Sequence, residues 1–182
     1  MWWRTWNRKV VEKYLSEGKS KEGLQGENLS GLNLHGLNFY GQDLEGTDFR
    51  KANLLGANFV EVSLVSANLY KANLASVNLK YCDLNKADLR LANLKGAYLW
   101  RTNLRGALGV VYREYIGSRN DTLYAFFADA EREVILFKTG CVCLGERSFK
   151  SKVRGTHDHG LYAQQYFETI KVLKKELIEK YG

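Results

Sequence analysis

Cys141, Cys143, His157, Asp158 and His159 form the densest group of chemistry-bearing side chains in this 182-residue sequence. Along a strand, Cys141 and Cys143 would face one side. Two thiolates and two imidazoles make a tetrahedral zinc set. The C-x-C and H-x-H spacings match the usual finger spacings poorly, so no metal is assigned. Cys141, Cys143, His157 and His159 stand only as an alternative metal set. A Cys–His nucleophile pair needs the two side chains to meet in space. The bland reading of the same residues is two cysteines in an apolar strand and a His–Asp–His turn capping a helix. Ser118, Arg119, Lys138, His157 and His159 form an alternative nucleotide or anion site if their loops converge.

No other catalytic set stands out. GxSxG, HExxH and a helix-opening GxGxxG are all missing from the sequence. Gly18-Lys19-Ser20 has the end of a phosphate loop, but Lys13 stands where its first glycine is required. His35 falls at an outward position and Cys82 in a small inward slot, and both read as structural. No catalytic residue and no cofactor is assigned, so the chain reads as not an enzyme.

The elements that hold these residues are set by a period of five. Every fifth residue from Leu29 to Leu104 is Leu or Phe, sixteen in succession. The preceding residue is Asn or Asp in all but Ser63 and Tyr98. Two before the centre stands a small residue in most pentads, such as Ala52, Ala57 and Ala67, and glycine recurs two after it. Neither a helix nor a continuous strand sustains that period. A short extended piece followed by a turn does, burying the small and the large residue on one side. The Asn or Asp side chain can bond the turn backbone. The chain has no proline, which suits a coil whose rungs pair through backbone N–H groups.

This A(D/N)LXX pattern over residues 27–106 resembles the pentapeptide-repeat family. The resemblance implies a right-handed quadrilateral β-helix with four pentads per coil. Sixteen pentads would make about four coils, about 19 Å long at ~4.8 Å per coil. Glu27, Leu32, Leu37 and Gln42 depart from the small position, and Tyr98 from the Asn/Asp position, as terminal coils of solenoids do.

Stacking at twenty residues sorts the outer side chains into faces. One carries Arg50, Lys51, Tyr70, Lys71 and Arg90, a set suited to an anion or an acidic partner. A solvated face relieved by Asp48 and Asp88 explains the same residues. Another carries Tyr40, Tyr81, Trp100 and Arg101, with Val60, Lys80 and Glu61 in the same columns. Exposed aromatics there suit a protein-binding patch, and contact with the chain's own ends is the alternative. Asn33, Asn53, Asn73 and Asn93 form a structural ladder.

The flanks read as caps. Residues 1–21 form an N-terminal helical cap, with a helix over 2–17 whose tryptophans share one face and lid the first coil. Residues 22–109 form the solenoid. Residues 110–182 form a small α+β domain, with strands at 110–116, 122–128 and 133–138. A further strand is expected at 141–144, a short helix at 148–154 and a long helix ending near Lys180. This tail resembles, through IGSR near Ile116–Arg119, KTGC at Lys138–Cys141 and TH near Thr156, that of uncharacterised phage and bacterial proteins.

The fold class is therefore mainly β. Three cysteines make no disulfide framework, and no apolar run is long enough to span a membrane. The compartment reads as cytoplasmic, and as host cytoplasm if the gene is phage-borne. Net charge is +7, but residues 22–106 carry nine Lys/Arg against eight Asp/Glu. Members of the resembled family that confer quinolone resistance bind DNA gyrase by imitating duplex DNA. This near-neutral solenoid argues against DNA mimicry. The expected function is a monomeric, non-enzymatic protein-binding module, inhibiting or modulating a host defence or DNA-processing protein. The alternative is a small-ligand binding protein or minor enzyme acting through residues 110–182.

Overall fold

The computed structural model describes residues 5–18, 23–116, 121–127, 135–139, 142–157 and 161–181. Side chains are described for 5–18, 23–111, 123–126, 135–138, 145–154 and 163–181. The chain divides into two units, Met1–Leu108 and Gly109–Gly182.

The first unit is a coil of β-turns. In each pentad the N–H three residues after the centre donates to the centre's carbonyl, as Ala52 N does to Phe49 O at 3.0 Å. The residue two after the centre has a left-handed φ in every pentad from Gly26 to Gly106, the type II turn pattern. Glycine fills eight of these positions. Lys51, Glu61, Ser66, Lys71, Ser76, Tyr81, Lys86, Leu91 and Arg101 fill the other nine at φ 54–61°. The sequence therefore marked only about half of the left-handed sites.

Coils pair in parallel through residues twenty apart, from Asn28↔Asp48 to Asp88↔Leu108. Four pentads thus make one coil. Centre residues Leu29 to Leu104 are buried, as are Ala52, Ala57, Ala67, Ala72, Ala87 and Ala92. Phe39 stacks on Phe59 one coil away at 4.8 Å, and Phe49 meets both edge-on from across the interior. The aromatic rings thereby fill the middle of the coil. Asparagines outside the core do two jobs. Asn53 Nδ2 donates to Asn33 Oδ1 at 2.9 Å, and Asn73 and Asn93 continue the ladder at 3.0 and 3.2 Å. Asn53 Oδ1 also accepts the N–H of Leu55 in its own turn.

The buried column begins one pentad earlier than the period of Asn/Asp marks. Leu24 is fully buried although Gly23 precedes it. Gly23 leaves room for the Tyr14 ring, which a Cβ at that position would displace.

Helix α1 is Arg8–Ser16, shorter than the expected 2–17. Asn7 caps it, its Oδ1 accepting from Val10 N at 3.1 Å. Trp6 therefore lies before the cap, not on the helix, so the expectation of one tryptophan face on the helix is corrected. Trp6 is buried edge-on to Tyr14 at 5.9 Å, and Val11 is buried at the position a hydrophobic staple uses. Trp2 and Trp3 lie outside the described residues. Trp6 Nε1 donates to Glu27 at 2.7 Å. Arg8 Nη1 donates to the carbonyls of Asn33 and His35 at 3.2 and 3.1 Å. One coil later the equivalent carbonyls, Asn53 O and Leu55 O, accept N–H groups of the preceding coil. Arg8 thus supplies donors to a first-coil edge that no earlier coil covers.

The second unit is an antiparallel sheet in the order β1 (Val110–Ile116), β2 (Asp121–Phe127), β3 (Ile135–Thr139) and β4 (Val142–Gly145). Helices α2 (Glu146–His157) and α3 (Leu161–Tyr181) follow. The expected short helix at 148–154 is thus longer at both ends. Val111, Leu123, Ala125 and Phe137 from the sheet pack with Phe149, Val153, Ala163, Tyr166, Ile170, Leu173 and Leu177 from the helices. Period-two alternation in the strands and the helical stripe of α3 put these residues in one core.

Candidate functional site

The turn geometry places side chains one and two residues after each centre on the outer wall, in columns repeating every twenty residues. The clearest convergence of chemistry is the face that carries Tyr40, Lys80, Tyr81, Trp100 and Arg101. Tyr81 meets Trp100 with ring centroids 4.7 Å apart and planes at 62°. Lys80 Nζ lies 4.9 Å from the Tyr81 centroid and 4.6 Å from that of Trp100. Arg101 Cζ lies 5.8 and 5.0 Å from the same two rings. Two cations therefore share two aromatic rings, each contact contributing about 0.5–1 kcal/mol at an exposed site. Tyr81 and Arg101 hold left-handed turn positions, so their backbone direction is fixed by the turn and not by the side chains. Three coils from Trp100, Tyr40 Oη donates to Glu61 Oε2 at 3.0 Å, and this bond raises the Tyr40 pKa above its ordinary value. Tyr40 and Tyr81 are 54% and 38% exposed, so the face is open to solvent.

Tyr98 belongs to the same face and is 53% exposed. It occupies the Asn/Asp column, bridged to Asn78, where it breaks the asparagine ladder and adds an aromatic. The sequence reading marked Tyr98 only as a departure from the repeat. It named Lys80 only as a member of a column. The signal that would have found both is the twenty-residue column, which puts Lys80 beside Trp100.

The second expected set behaves differently. Arg50 is held by the carboxylate of Asp48, with Nε 3.0 Å and Nη2 2.7 Å from its oxygens, and Arg90 is held by Asp88 in the same way. The hydrogen bond to Arg50 keeps Asp48 below the usual carboxylate range and raises Arg50. Lys71 Nζ and Arg90 Cζ lie 5.3 and 5.8 Å from the Tyr70 centroid. Lys51 and Lys71 project from left-handed turn positions. The repeat thus brings all five residues to one face, but Asp48 and Asp88 temper its charge.

Of the residues in the two alternative sites, only Lys138 has a described side chain. Lys138 is not on an open loop: it is an interior residue of β3, 3% exposed, paired in register with Tyr124 and 5.2 Å from its ring centroid. Ser118, Arg119, Cys141 and His159 lie outside the described residues, as do the side chains of Cys143 and His157. Among the described residues no group of three His, Cys, Asp or Glu could hold a metal ion. Cys82 is buried in its small slot, and burial pushes its thiol pKa far up. Among the described residues no helix is long and apolar enough to cross a membrane.

Comparison with known proteins follows the coil. The model of the Pentapeptide repeats family matches residues 24–50, 43–80 and 72–108. Among solved structures the chain is similar to HetL, a pentapeptide repeat protein involved in heterocyst differentiation regulation from the cyanobacterium Nostoc. Identity is 33% and the TM-score 0.54, over 57% of this chain and 43% of HetL. A pentapeptide repeat protein of the Arabidopsis thaliana thylakoid lumen is 28% identical with a TM-score of 0.48, over 57% of this chain and 67% of that one. QnrB1, a plasmid-mediated fluoroquinolone resistance protein, is 26% identical with a TM-score of 0.42, over 49% of this chain and 51% of that one. The chain therefore spans less than half of HetL. No curated protein sequence is significantly similar to the chain. The five-residue period, the twenty-residue bridges and the matched family model together identify residues 24–108 as a run of pentapeptide repeats.

Proposed function

We propose that the chain is a non-enzymatic protein-binding module, and that it docks another protein on the face built from Tyr40, Lys80, Tyr81, Trp100 and Arg101. One observation carries this reading: an exposed Tyr81 meets a half-buried Trp100 with two cations against both rings, and Tyr81 N donates to Trp100 O at 3.0 Å, so the backbone ladder joins the two coils that carry them. Tyr, Trp and Arg are the residue types that carry most binding energy at protein interfaces. A rigid ladder loses little conformational entropy when a partner docks. The near balance of Lys/Arg and Asp/Glu along residues 22–106 favours a mixed-charge partner surface over imitation of DNA.

In its finer form, the partner is a host defence or DNA-processing protein that a monomer inhibits or modulates in the host cytoplasm. The resemblance of residues 110–182 to tails of uncharacterised phage and bacterial proteins is what suggests that form. The test is capture from nuclease-treated host lysate at moderate salt, with the full chain and its Trp100→Ala variant as paired baits. A single stoichiometric protein held by the first and lost from the second is the expected result. Equal retention by both baits overturns the assignment of this face.

A further inference from the structure

Ser30, Gly31, Arg50, Lys51 and Tyr70 line an open cleft of about 380 Å³ on the other charged face of the coil. They come from the two outer turn positions of three successive coils. Asp48 occupies only one edge of the Arg50 guanidinium, through Nε and Nη2. Among the described residues, Arg50 Nη1 has no acceptor, the Lys51 ammonium has no carboxylate within ion-pair distance, and the Ser30 and Tyr70 hydroxyls have no hydrogen-bond partner. Asp48 therefore orients Arg50 and leaves part of its fork to act outward.

We propose that this cleft binds the dianion of a phosphate monoester, a ligand class separate from the protein partner proposed for the aromatic face. The Lys51 ammonium and the outward edge of the Arg50 fork, its charge tempered by Asp48, face the anion, and the fork with two hydroxyl donors answers its three terminal oxygens. A monocarboxylate has two oxygens and would leave donors of this set unanswered. The positive charge is local: the column holding Lys51 and Lys71 begins with Gly31 and ends with Leu91, so it offers no long track for a polyanion. The volume lies within the range of small-ligand pockets and exceeds what a bare anion fills. That leaves room, next to the Tyr70 ring, for the group that carries the phosphate.

The test uses the full chain, labelled with ¹⁵N and titrated with inorganic phosphate and with ribose 5-phosphate at constant ionic strength. Saturable shifts centred on the amides of Gly31, Lys51 and Tyr70, with half-saturation at or below about 5 mM, are expected. Lys51→Gly removes the ammonium and keeps the left-handed turn, so it tests charge without threatening the fold. It and Arg50→Gln should each weaken binding about fivefold, while Lys86→Gly on another face leaves it unchanged. Tighter binding of ribose 5-phosphate supports the monoester, and equal binding overturns it in favour of free phosphate. Shifts that fail to saturate, that chloride reproduces at the same ionic strength, or whose half-saturation is unchanged by Lys51→Gly overturn the site.

Discussion

Tyr81 and Trp100 lie nineteen positions apart in sequence and 4.7 Å apart in space, because the twenty-residue coil places one almost directly above the other. The pair is the centre of the exposed aromatic face, with Lys80 and Arg101 against both rings. Removing Trp100 takes one ring and both cation contacts to it. Trp100→Ala is expected to weaken partner binding at least tenfold while changing unfolding free energy by no more than about 1 kcal/mol. Binding by calorimetry and unfolding in urea, run on the same preparations, separate the two effects.

Ser66 and Gly56 occupy the same turn position with φ near 60°. A Cβ at Gly56 would meet nothing within 4 Å, so Gly56→Ala has only a conformational cost, partly offset by the reduced freedom of its unfolded chain, a net loss of about 0.5 kcal/mol. Ser66→Gly relieves that cost but adds freedom to the unfolded chain, leaving a net gain of about 0.5 kcal/mol. Opposite signs in urea unfolding are the expected outcome. A destabilised Ser66→Gly would show that the serine side chain, and not the backbone, governs that corner.

Thr47 and Thr102 take the small inward slot and are buried with a polar atom. Each hydroxyl donates at 2.8 Å to a carbonyl twenty-three residues back, Leu24 for Thr47 and Leu79 for Thr102. Valine keeps the shape and loses the donor. Thr47→Val and Thr102→Val should each cost about 1 kcal/mol, since the carbonyls keep a turn N–H. The losses should add in the double variant, because the two sites lie in different coils and share no partner.

Asp48 is held below its ordinary 3.8 by Arg50, and Glu146 below 4.5 by Lys150 and Lys174. A depressed carboxyl contributes stability that is present above its unfolded-state pKa and is lost as pH falls through the lower folded-state value. Stability should therefore fall on acidification from about pH 4 downward. Arg50→Gln should flatten part of that fall without affecting the slope above pH 6. Thermal unfolding across a pH series of both proteins reads the difference, and parallel curves would refute the link to Arg50.

The coil was legible in the sequence because its period is local. Five residues close a turn, the Asn or Asp before each centre bonds that turn, and the small and large inward residues pack against copies of themselves. No long-range information is needed to see this in Leu29 to Leu104. Leu24 escaped because Gly23, beside the Tyr14 ring, stands where the Asn/Asp mark is expected. Trp6 was misplaced onto the helix because a staple residue before an Asn cap mimics helical spacing. The strands of residues 110–182 showed through their alternation, but Lys138 did not: its charge suggested solvent, and the sheet buried it against Tyr124. Only the tertiary structure decided which outer side chains touch. The sequence placed Lys80, Tyr81, Trp100 and Arg101 in neighbouring columns, yet ring contact depends on the rotamers and on the distance between coils. It likewise placed Asp48 two residues from Arg50, while the hydrogen bonds that fix the guanidinium on one edge and leave the other open arise only once the turn is folded.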